Sequence, residues 1–536
     1  MRVEWLVLAI ALYAVAFGNG PWWSAVAAGR EPGSLSTWLF FGGTAVALTA
    51  LHFSLFAIFA TRRTVKPLST LIVVATSCAA YYMRTYAAML DPGMVRNVVA
   101  TDVHEASELL SWSMLGAVLV WAAAPLTLIW WTEIKSVPLL RGLGFRFASL
   151  LSAFVIALVA LWPVSSDFTS LMRNQRELRY LVTPGNFLYS LVRNATNDAR
   201  AVNVARTPVG TDAQRLATSP GSAKPRVFVF VLGETARAAN FSLLGYDKPT
   251  NPRLAAMDIV AFRDVTACGT STEVSVPCLF SPFGRTDYDE QRIRGSEGVL
   301  HVLRRAGIDV RWYDNQSGCK GVCEAPGVTY VKLDAGYAPE RCEHDDCFDE
   351  ILVDRLRADL GAIERDTVIV LHTLGNHGPA YYRRYPESFR RFMPDCQTAE
   401  LRHCSREQIV NSFDNAILYT DHVLAEMIHA LDAATDRLDV AMLYLSDHGE
   451  SLGEAGLYLH GIPYPIAPRY QTHVPMIYWQ SADFGAATGI DASCLRARSG
   501  APYSHDNLFD SLIGVMDVTT LAYRPGRDLF RPCRSR

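Results

Sequence analysis

The sequence predicts a helical membrane domain followed by an α/β domain built on a mostly parallel central sheet. Three observations carry this. Five apolar segments within the first 164 residues are long enough, or nearly so, to span a hydrocarbon core, which takes about 20 helical residues. Beyond residue 225, short apolar runs alternate with helix-like segments, the pattern of a parallel sheet with crossover helices. Of the 11 cysteines, all but Cys78 lie beyond residue 260, which argues for disulfides in an oxidising compartment. Spacings such as Cys319-x3-Cys323 and Cys342-x4-Cys347 are not those of a zinc knuckle.

The expected spans are Trp5–Ala28, Thr37–Ala60, Leu68–Leu90, Ser111–Trp131 and Phe145–Val164. The first has no convincing small-residue cleavage site and is too long an apolar run for a signal peptide. The third carries Arg84, which lipid tolerates only near an interface or in a polar cleft. With the N-terminus inside, the inner side holds Arg2, Arg62, Arg63, Lys66, Lys135, Arg141 and Arg146. The two opposite loops hold only Arg30 and Arg96. This bias sets the orientation and puts everything after residue 164 on the outer side, where the cysteines also need to be. Residues 91–110, with Asp91, Arg96, Asp102, His104, Glu105 and Glu108, are too polar to cross and read as an amphipathic segment on the outer face.

Residues 165–225 read as a bridging helix (Ser170 to Leu181) and a Pro/Gly/Ser-rich linker; residues 226–536 read as one α/β domain. Its strand-like runs are Arg226–Leu232, Asp309–Tyr313, Thr367–Thr373 and Val440–Leu445. Helical patterns lie between them at Ser296–Ala306, Phe348–Ile363 and Ser412–Leu431. The net charge of -3 and the lack of a basic tract exclude nucleic acid as a partner.

Polar residues stand where these strands stop, at the end of an α/β sheet where ligands gather. Glu234 follows the first strand. Asp314, Asn315, Gln316 and Lys320 follow the second. His372, Asn376 and His377 follow the third. Asp447 and His448 follow the fourth, with His460 further on. Carboxylates and imidazoles without a thiolate set suit zinc or manganese. Hydroxyls for nucleophilic attack lie in Cys268-Gly269-Thr270-Ser271-Thr272-Glu273-Val274-Ser275-Val276-Pro277-Cys278, where helix N–H groups can cradle an anion. A helix cap on a short turn uses the same residues. Spacing does not choose among Thr270, Ser271 and Thr272.

Four stretches, Gly233-Glu234-Thr235-Ala236-Arg237-Ala238-Ala239-Asn240, the Cys268–Cys278 loop, Leu371-His372-Thr373-Leu374-Gly375-Asn376-His377-Gly378-Pro379 and Ser446-Asp447-His448-Gly449-Glu450-Ser451-Leu452-Gly453-Glu454, resemble the bacterial phosphoethanolamine transferases that modify lipid A, including the colistin-resistance enzymes. The resemblance spans nearly the whole chain and implies an alkaline phosphatase/sulfatase-like periplasmic domain. It also implies a nucleophilic Thr four residues after the first loop cysteine, which is Thr272, and zinc ligands at Glu234, Thr272, Asp447 and His448. Lys320, His377 and His460 fall on residues implicated in substrate binding or a second zinc. Gln316 falls where the family has an asparagine, with Asn315 adjacent. Glu450 is left a supporting role. The resemblance further implies the pairs Cys268–Cys278, Cys319–Cys323, Cys342–Cys347 and Cys396–Cys404; Cys494–Cys533 follows by elimination.

The resulting expectation is a monomeric, zinc-dependent enzyme of the bacterial inner membrane with its catalytic domain in the periplasm. It would move phosphoethanolamine from phosphatidylethanolamine to lipid A phosphate through Thr272, lowering surface charge and giving polymyxin resistance. The competing acceptors are a lipopolysaccharide core sugar, a periplasmic glucan, or water in a membrane-tethered phosphatase. A sulfatase would need Cys-x-Pro-x-Arg, which does not occur. A receptor with a decayed site would not keep Glu234, Thr272, Asp447 and His448 together.

Overall fold

The structure is a computed structural model that describes the chain except residues 29, 101–105, 107–108, 202–204, 217–223, 344–345 and 536. The chain forms two compact units, Met1–Arg96 with Leu110–Ala195, and Asn97–Leu109 with Thr196–Arg536.

The first unit is helical. Its long helices are Val3–Gly18 continuing as Gly20–Ala27, then Leu35–Phe59, Val65–Thr85, Trp112–Trp131 and Leu139–Leu161. The first pair bends by 56° at Asn19. The sequence Gly18-Asn19-Gly20-Pro21 explains the break: glycines flank it and the proline ring cannot continue the preceding helix. Asn19 is fully buried. Its amide donates to Ala14 O and Thr183 O, each at 2.7 Å, and its carbonyl accepts the Thr183 N–H at 2.7 Å, so the opened backbone is satisfied.

Among the described residues, three helices are long and apolar enough to cross a membrane singly, and a fourth crossing results if the bent pair is one span. Val65–Thr85, expected as a crossing, has 21 residues but is the least apolar of these helices, since it carries Lys66, Arg84 and several hydroxyls. Arg84 is accommodated locally: Nη2 donates to Phe17 O at 2.6 Å and the guanidinium lies 4.7 Å from the Trp121 ring centre. In the 91–110 segment, Pro92–Ala100 is helical, whereas Asp102, His104, Glu105 and Glu108 lie outside the described residues. The expected helix from Ser170 to Leu181 starts earlier, as Ser165–Asn174. It breaks at Gln175, whose φ of -131° is not helical, and resumes as a tighter turn over Arg176–Leu181.

The second unit is built on seven strands: β1 (Arg226–Gly233), β2 (Val260–Phe262), β3 (Asp309–Asp314), β4 (Thr329–Lys332), β5 (Thr367–His372), β6 (Asp439–Ser446) and β7 (Met476–Gln480). Their order is β2-β7-β6-β1-β5-β3-β4. The five strands from β6 to β4 are parallel, and β7 and β2 extend the sheet antiparallel. The four expected strands are present; β2, β4 and β7 are additional, two of them too short to stand out from apolar pattern alone.

Every residue of β1 and β6 is buried. Phe228, Phe230 and Leu232 enter one core with Val368, Val370, Leu443 and Leu445 from the flanking strands. The 27-residue helix Arg406–Asp432 packs near β6. Coverage of both faces explains why these strands read as unbroken apolar runs. Five disulfides lie in this unit: Cys268–Cys278, Cys319–Cys323, Cys342–Cys347, Cys396–Cys404 and Cys494–Cys533.

Phe230→Ala removes a fully buried ring from the central strand and should destabilise the protein by about 3–5 kcal/mol, read as a lowered denaturation midpoint of the detergent-solubilised chain.

Candidate active site

The site begins with strand register. In the parallel pair β1 and β6, Gly233 lies opposite Ser446, so the next residues, Glu234 and Asp447, leave the sheet side by side. Thr235 turns the chain there with φ of +59°. Its N–H donates to Asp447 Oδ1 at 3.0 Å, and its hydroxyl donates to Glu234 Oε1 at 2.6 Å. The His448 N–H also donates to Asp447 Oδ1, at 2.7 Å. Asp447 Oδ2 is buried with no hydrogen-bond partner.

His448 Nδ1 lies 2.9 Å from Gly449 O, which makes it the donor nitrogen. Nε2 then faces inward, 3.4 Å from both Glu234 Oε1 and Asp447 Oδ2. Glu234, Asp447 and His448 are fully buried, and one ligand atom from each lies within 4.8 Å of the others.

The electrostatics follow from packing two carboxylates without water. Burial and the neighbouring Glu234 push Asp447 up to about 6. Burial works against Glu234 as well, but its hydrogen bond and attraction to His448 hold it well below the usual carboxylate range. Burial opposes charging His448, yet Asp447 and Glu234 outweigh it and raise the imidazole to about 10. The cluster therefore favours a cation at its centre.

The residues present fit a metal ion. Two carboxylates and an Nε2 lone pair converge, Asp447 Oδ2 has no other partner, and no thiolate takes part. The second strand-end bond of each group, Nδ1 to Gly449 O and Oδ1 to two N–H groups, fixes its orientation, as metal ligands require.

Facing this cluster is the first residue of the helix Thr272–Leu279. Thr272 Oγ1 lies 3.0 and 3.1 Å from the two Glu234 carboxylate oxygens and 3.3 Å from His448 Nε2. Thr270 instead donates its hydroxyl to Ile462 O at 2.8 Å. The geometry thus separates hydroxyls that spacing left equivalent. The Cys268–Cys278 disulfide closes the loop carrying them.

Of the other candidates, Gln316, His460 and His377 lie around the cluster, whereas Lys320 makes its contacts within its own loop. Gln316 Nε2 donates to Glu234 Oε2 at 3.1 Å, whereas Asn315 turns away to Cys347 O and Asp349 Oδ1. The His460 ring lies tilted 4.4 Å from that of His448, and His377 lies 5.9 Å from His460. Glu450, fully buried, sits 2.9 Å from His460 Nδ1 and accepts the Tyr381 hydroxyl at 2.5 Å. Lys320 donates to Ser317 O and Oγ at 3.2 and 2.7 Å, and its φ of +51° marks a tightly held loop. His372 lies 3.6 Å from Asp314 and edge-on to Trp312.

Two supporting residues were not legible as functional. Asp349, on a helix N-terminal turn, accepts the N–H groups of Leu374 and Gly375. That loop passes so close to Glu234 that a Cβ on Gly375 would come within 2.6 Å of Glu234 O. His505 accepts the Cys268 N–H at 3.1 Å and donates to Ser446 O at 3.0 Å, tying the Thr272 loop to the end of β6. Neither stands at the end of a central strand, so no polar stop after an apolar run marks them in the sequence.

A mostly parallel sheet whose strand ends carry a buried metal-type cluster opposite a hydroxyl at the start of a helix defines the sulfatase class, and residues 226–518 match the family model described as Sulfatase. Residues 48–199 match that described as Phosphoethanolamine transferase EptA/EptB. The phosphoethanolamine transferase EptA of Escherichia coli K12 is 38% identical over 473 residues, covering 88% of this chain and 86% of that protein. The phosphatidylethanolamine transferase Mcr-1 of Escherichia coli is 34% identical, covering 85% and 84%. The structure of the integral membrane lipooligosaccharide phosphoethanolamine transferase A of Neisseria meningitidis superposes with a TM-score of 0.92 at 34% identity, covering 99% of this chain and 98% of that one. The chain belongs to the EptA phosphoethanolamine transferase family, as the four sequence stretches suggested.

His505 gives the site a pH signature. Burial pushes its pKa down to about 4, with the bond to Ser446 O opposing. An unfolded histidine takes its proton near pH 6.5, so between about 6.5 and 4 the unfolded state binds more protons. The stability present above that range is therefore lost as pH drops through it, by up to roughly 1.4 kcal/mol per unit. His505→Gln keeps a donor and an acceptor, and should flatten the dependence of the denaturation midpoint between these limits.

Proposed function

We propose that this protein transfers phosphoethanolamine from phosphatidylethanolamine to a phosphate of lipid A, through a covalent intermediate on Thr272. The observation that carries the reading is the Thr272 hydroxyl, 3.0 and 3.1 Å from a carboxylate that is itself part of a buried Glu/Asp/His cluster. Relatives named as phosphoethanolamine transferase EptA, as phosphatidylethanolamine transferase Mcr-1 and as Kdo(2)-lipid A phosphoethanolamine 7''-transferase support the donor and the acceptor.

Glu234, Asp447 and His448, with Thr272 Oγ1 as a fourth donor, would hold a zinc ion. When bound, zinc lowers the pKa of a coordinated hydroxyl and offsets charge on phosphoryl oxygens. The chain's own residues do the rest. Glu234 orients Thr272 Oγ1 and takes up its proton as Oγ1 attacks phosphorus and the bond to the diacylglycerol oxygen breaks. His460 is fixed by Glu450 through Nδ1, which leaves Nε2 to protonate that leaving oxygen. An oxygen of the acceptor phosphate then attacks the same phosphorus, and Thr272 Oγ1 leaves and regains its proton. Lys320 and His377 stabilise the phosphoryl oxygens, and Gln316 steadies Glu234. Alternatively, His377 and His460 would hold a second zinc, in which case His460 Nε2 would not carry the proton.

The protein works as a monomer in the bacterial inner membrane, with residues 1–164 as a five-helix membrane domain, 165–225 as the bridge and 226–536 as the periplasmic catalytic domain. The positive-inside bias and the five disulfides support this placement. Added amine on lipid A reduces negative surface charge and hence the binding of polymyxin.

Thr272→Ala should abolish the phosphoethanolamine adduct seen by intact-mass measurement and lower transfer by at least about 10³-fold. An adduct persisting in that variant removes Thr272 from the role. Asp447→Asn should strip zinc from the purified protein, read by elemental analysis; full zinc content would remove Asp447 from the ligand set. Mass spectrometry of lipid A from cells with and without the protein tests the acceptor, and release of free phosphoethanolamine in its place would identify a phosphatase.

A further inference from the structure

An acidic residue near the start of a membrane-type helix needs an explanation. Glu4 lies in the first turn of the helix Val3–Tyr13 and is only 9% exposed. Its Oε1 lies 3.7 Å from Arg146 Nη2, an ion pair beyond hydrogen-bond reach. Arg146 Nε is buried with no hydrogen-bond partner. The Arg2 guanidinium sits nearby over the ring of Phe145, 4.2 Å from its centre. Both signs of charge are therefore present with unused hydrogen-bonding capacity.

From this charged end an apolar groove of about 710 Å³ runs between the helices Val3–Tyr13, Leu35–Phe59 and Leu139–Leu161. Small side chains make the room, among them Ala45, Ala50, Ser152 and Ala153. Trp5 and Ile156 line it and are exposed, so the groove opens sideways, where a bilayer places its acyl chains.

We propose that this groove binds an aminophospholipid, a zwitterion such as phosphatidylethanolamine, at a site separate from the one that reacts. The ammonium donates to the Glu4 carboxylate, the phosphate diester accepts from Arg146 and Arg2, and one acyl chain lies along the groove. The choice of headgroup follows from charge complementarity. Phosphatidylglycerol offers Glu4 only neutral hydroxyls and no cation to offset its charge. A quaternary choline group carries no N–H to donate, whereas a primary ammonium has three. The inference rests on the helical unit alone and not on the transfer reaction. By the positive-inside bias, Arg2 and Arg146 belong to the inner leaflet, so this lipid would be drawn from the leaflet opposite the catalytic domain.

The test is photo-cross-linking of the full-length protein in nanodiscs containing phosphatidylethanolamine with a diazirine in one acyl chain, followed by peptide mass spectrometry. Label should appear on the helices Val3–Tyr13 and Leu139–Leu161. Unlabelled phosphatidylethanolamine should compete about tenfold better than phosphatidylglycerol or phosphatidylcholine, the discrimination of one charge-assisted hydrogen bond. Glu4→Gln should erase that preference while labelling persists, and Ser152→Phe should remove the label from both helices. The Thr272→Ala background should leave all of this unchanged, which separates the groove from the reaction site. Equal competition by all three lipids, or label absent from those two helices, would overturn the proposal. The competition on the unaltered protein decides the point without relying on any variant.

Discussion

The catalytic unit depends on one constraint: two carboxylates, Glu234 and Asp447, are forced together at the end of a dry sheet. The parallel register of β1 and β6 leaves them no alternative, because Gly233 and Ser446 are paired and both strands are buried throughout. Such a pair is costly unless positive charge offsets it. The raised imidazole of His448 and the upward push on Asp447 both express that demand. The same demand fits these residues to hold a divalent metal, and the Thr272 hydroxyl lies 3.0 and 3.1 Å from the Glu234 carboxylate oxygens.

Much of the surrounding architecture keeps this arrangement satisfied. Ser446 accepts the Ala236 N–H and donates to His448 O, joining the two strand ends. Arg237 pairs with Glu454 and lies over Tyr470, so the segment after β1 is tied to the loop after β6. Asp349 gathers the loop that passes behind Glu234, and His505 anchors the Thr272 loop. These are hydrogen bonds between buried groups, each costly to leave unmade. A site assembled this way is rigid before substrate arrives, which suits a reaction whose catalysis is mainly positioning and charge stabilisation.

The helical unit solves a related problem in an apolar setting. Arg84 reaches a carbonyl opened by the break after Gly18, and Asn19 closes the remaining backbone groups against Thr183. Polar groups there are spent on the bend. Glu4 and Arg146 stand apart because their ion pair is loose and opens onto an apolar groove. Burial of charge thus has two meanings in this chain, internal repair in one place and capacity for a zwitterionic ligand in another.

The membrane helices, the four central strands and the Asp447-His448 pair were legible because each is a local pattern: a long apolar run, a short apolar run, a polar stop. The lesser strands β2 and β4 were not, since three and four residues carry too little periodicity, and β7 joins the sheet only antiparallel beyond β6. Val65–Thr85 has the length of a span but low apolarity, so its length alone overstates its fit to a bilayer. By itself the sequence determined the two-part organisation, the composition of the strand ends and, through its motifs, the family. The tertiary structure alone decided which hydroxyl faces Glu234, that Gln316 and not Asn315 touches it, and that Glu450 holds His460. These choices depend on side-chain direction across strands and loops far apart in sequence, where a shift of one residue in register would exchange every partner.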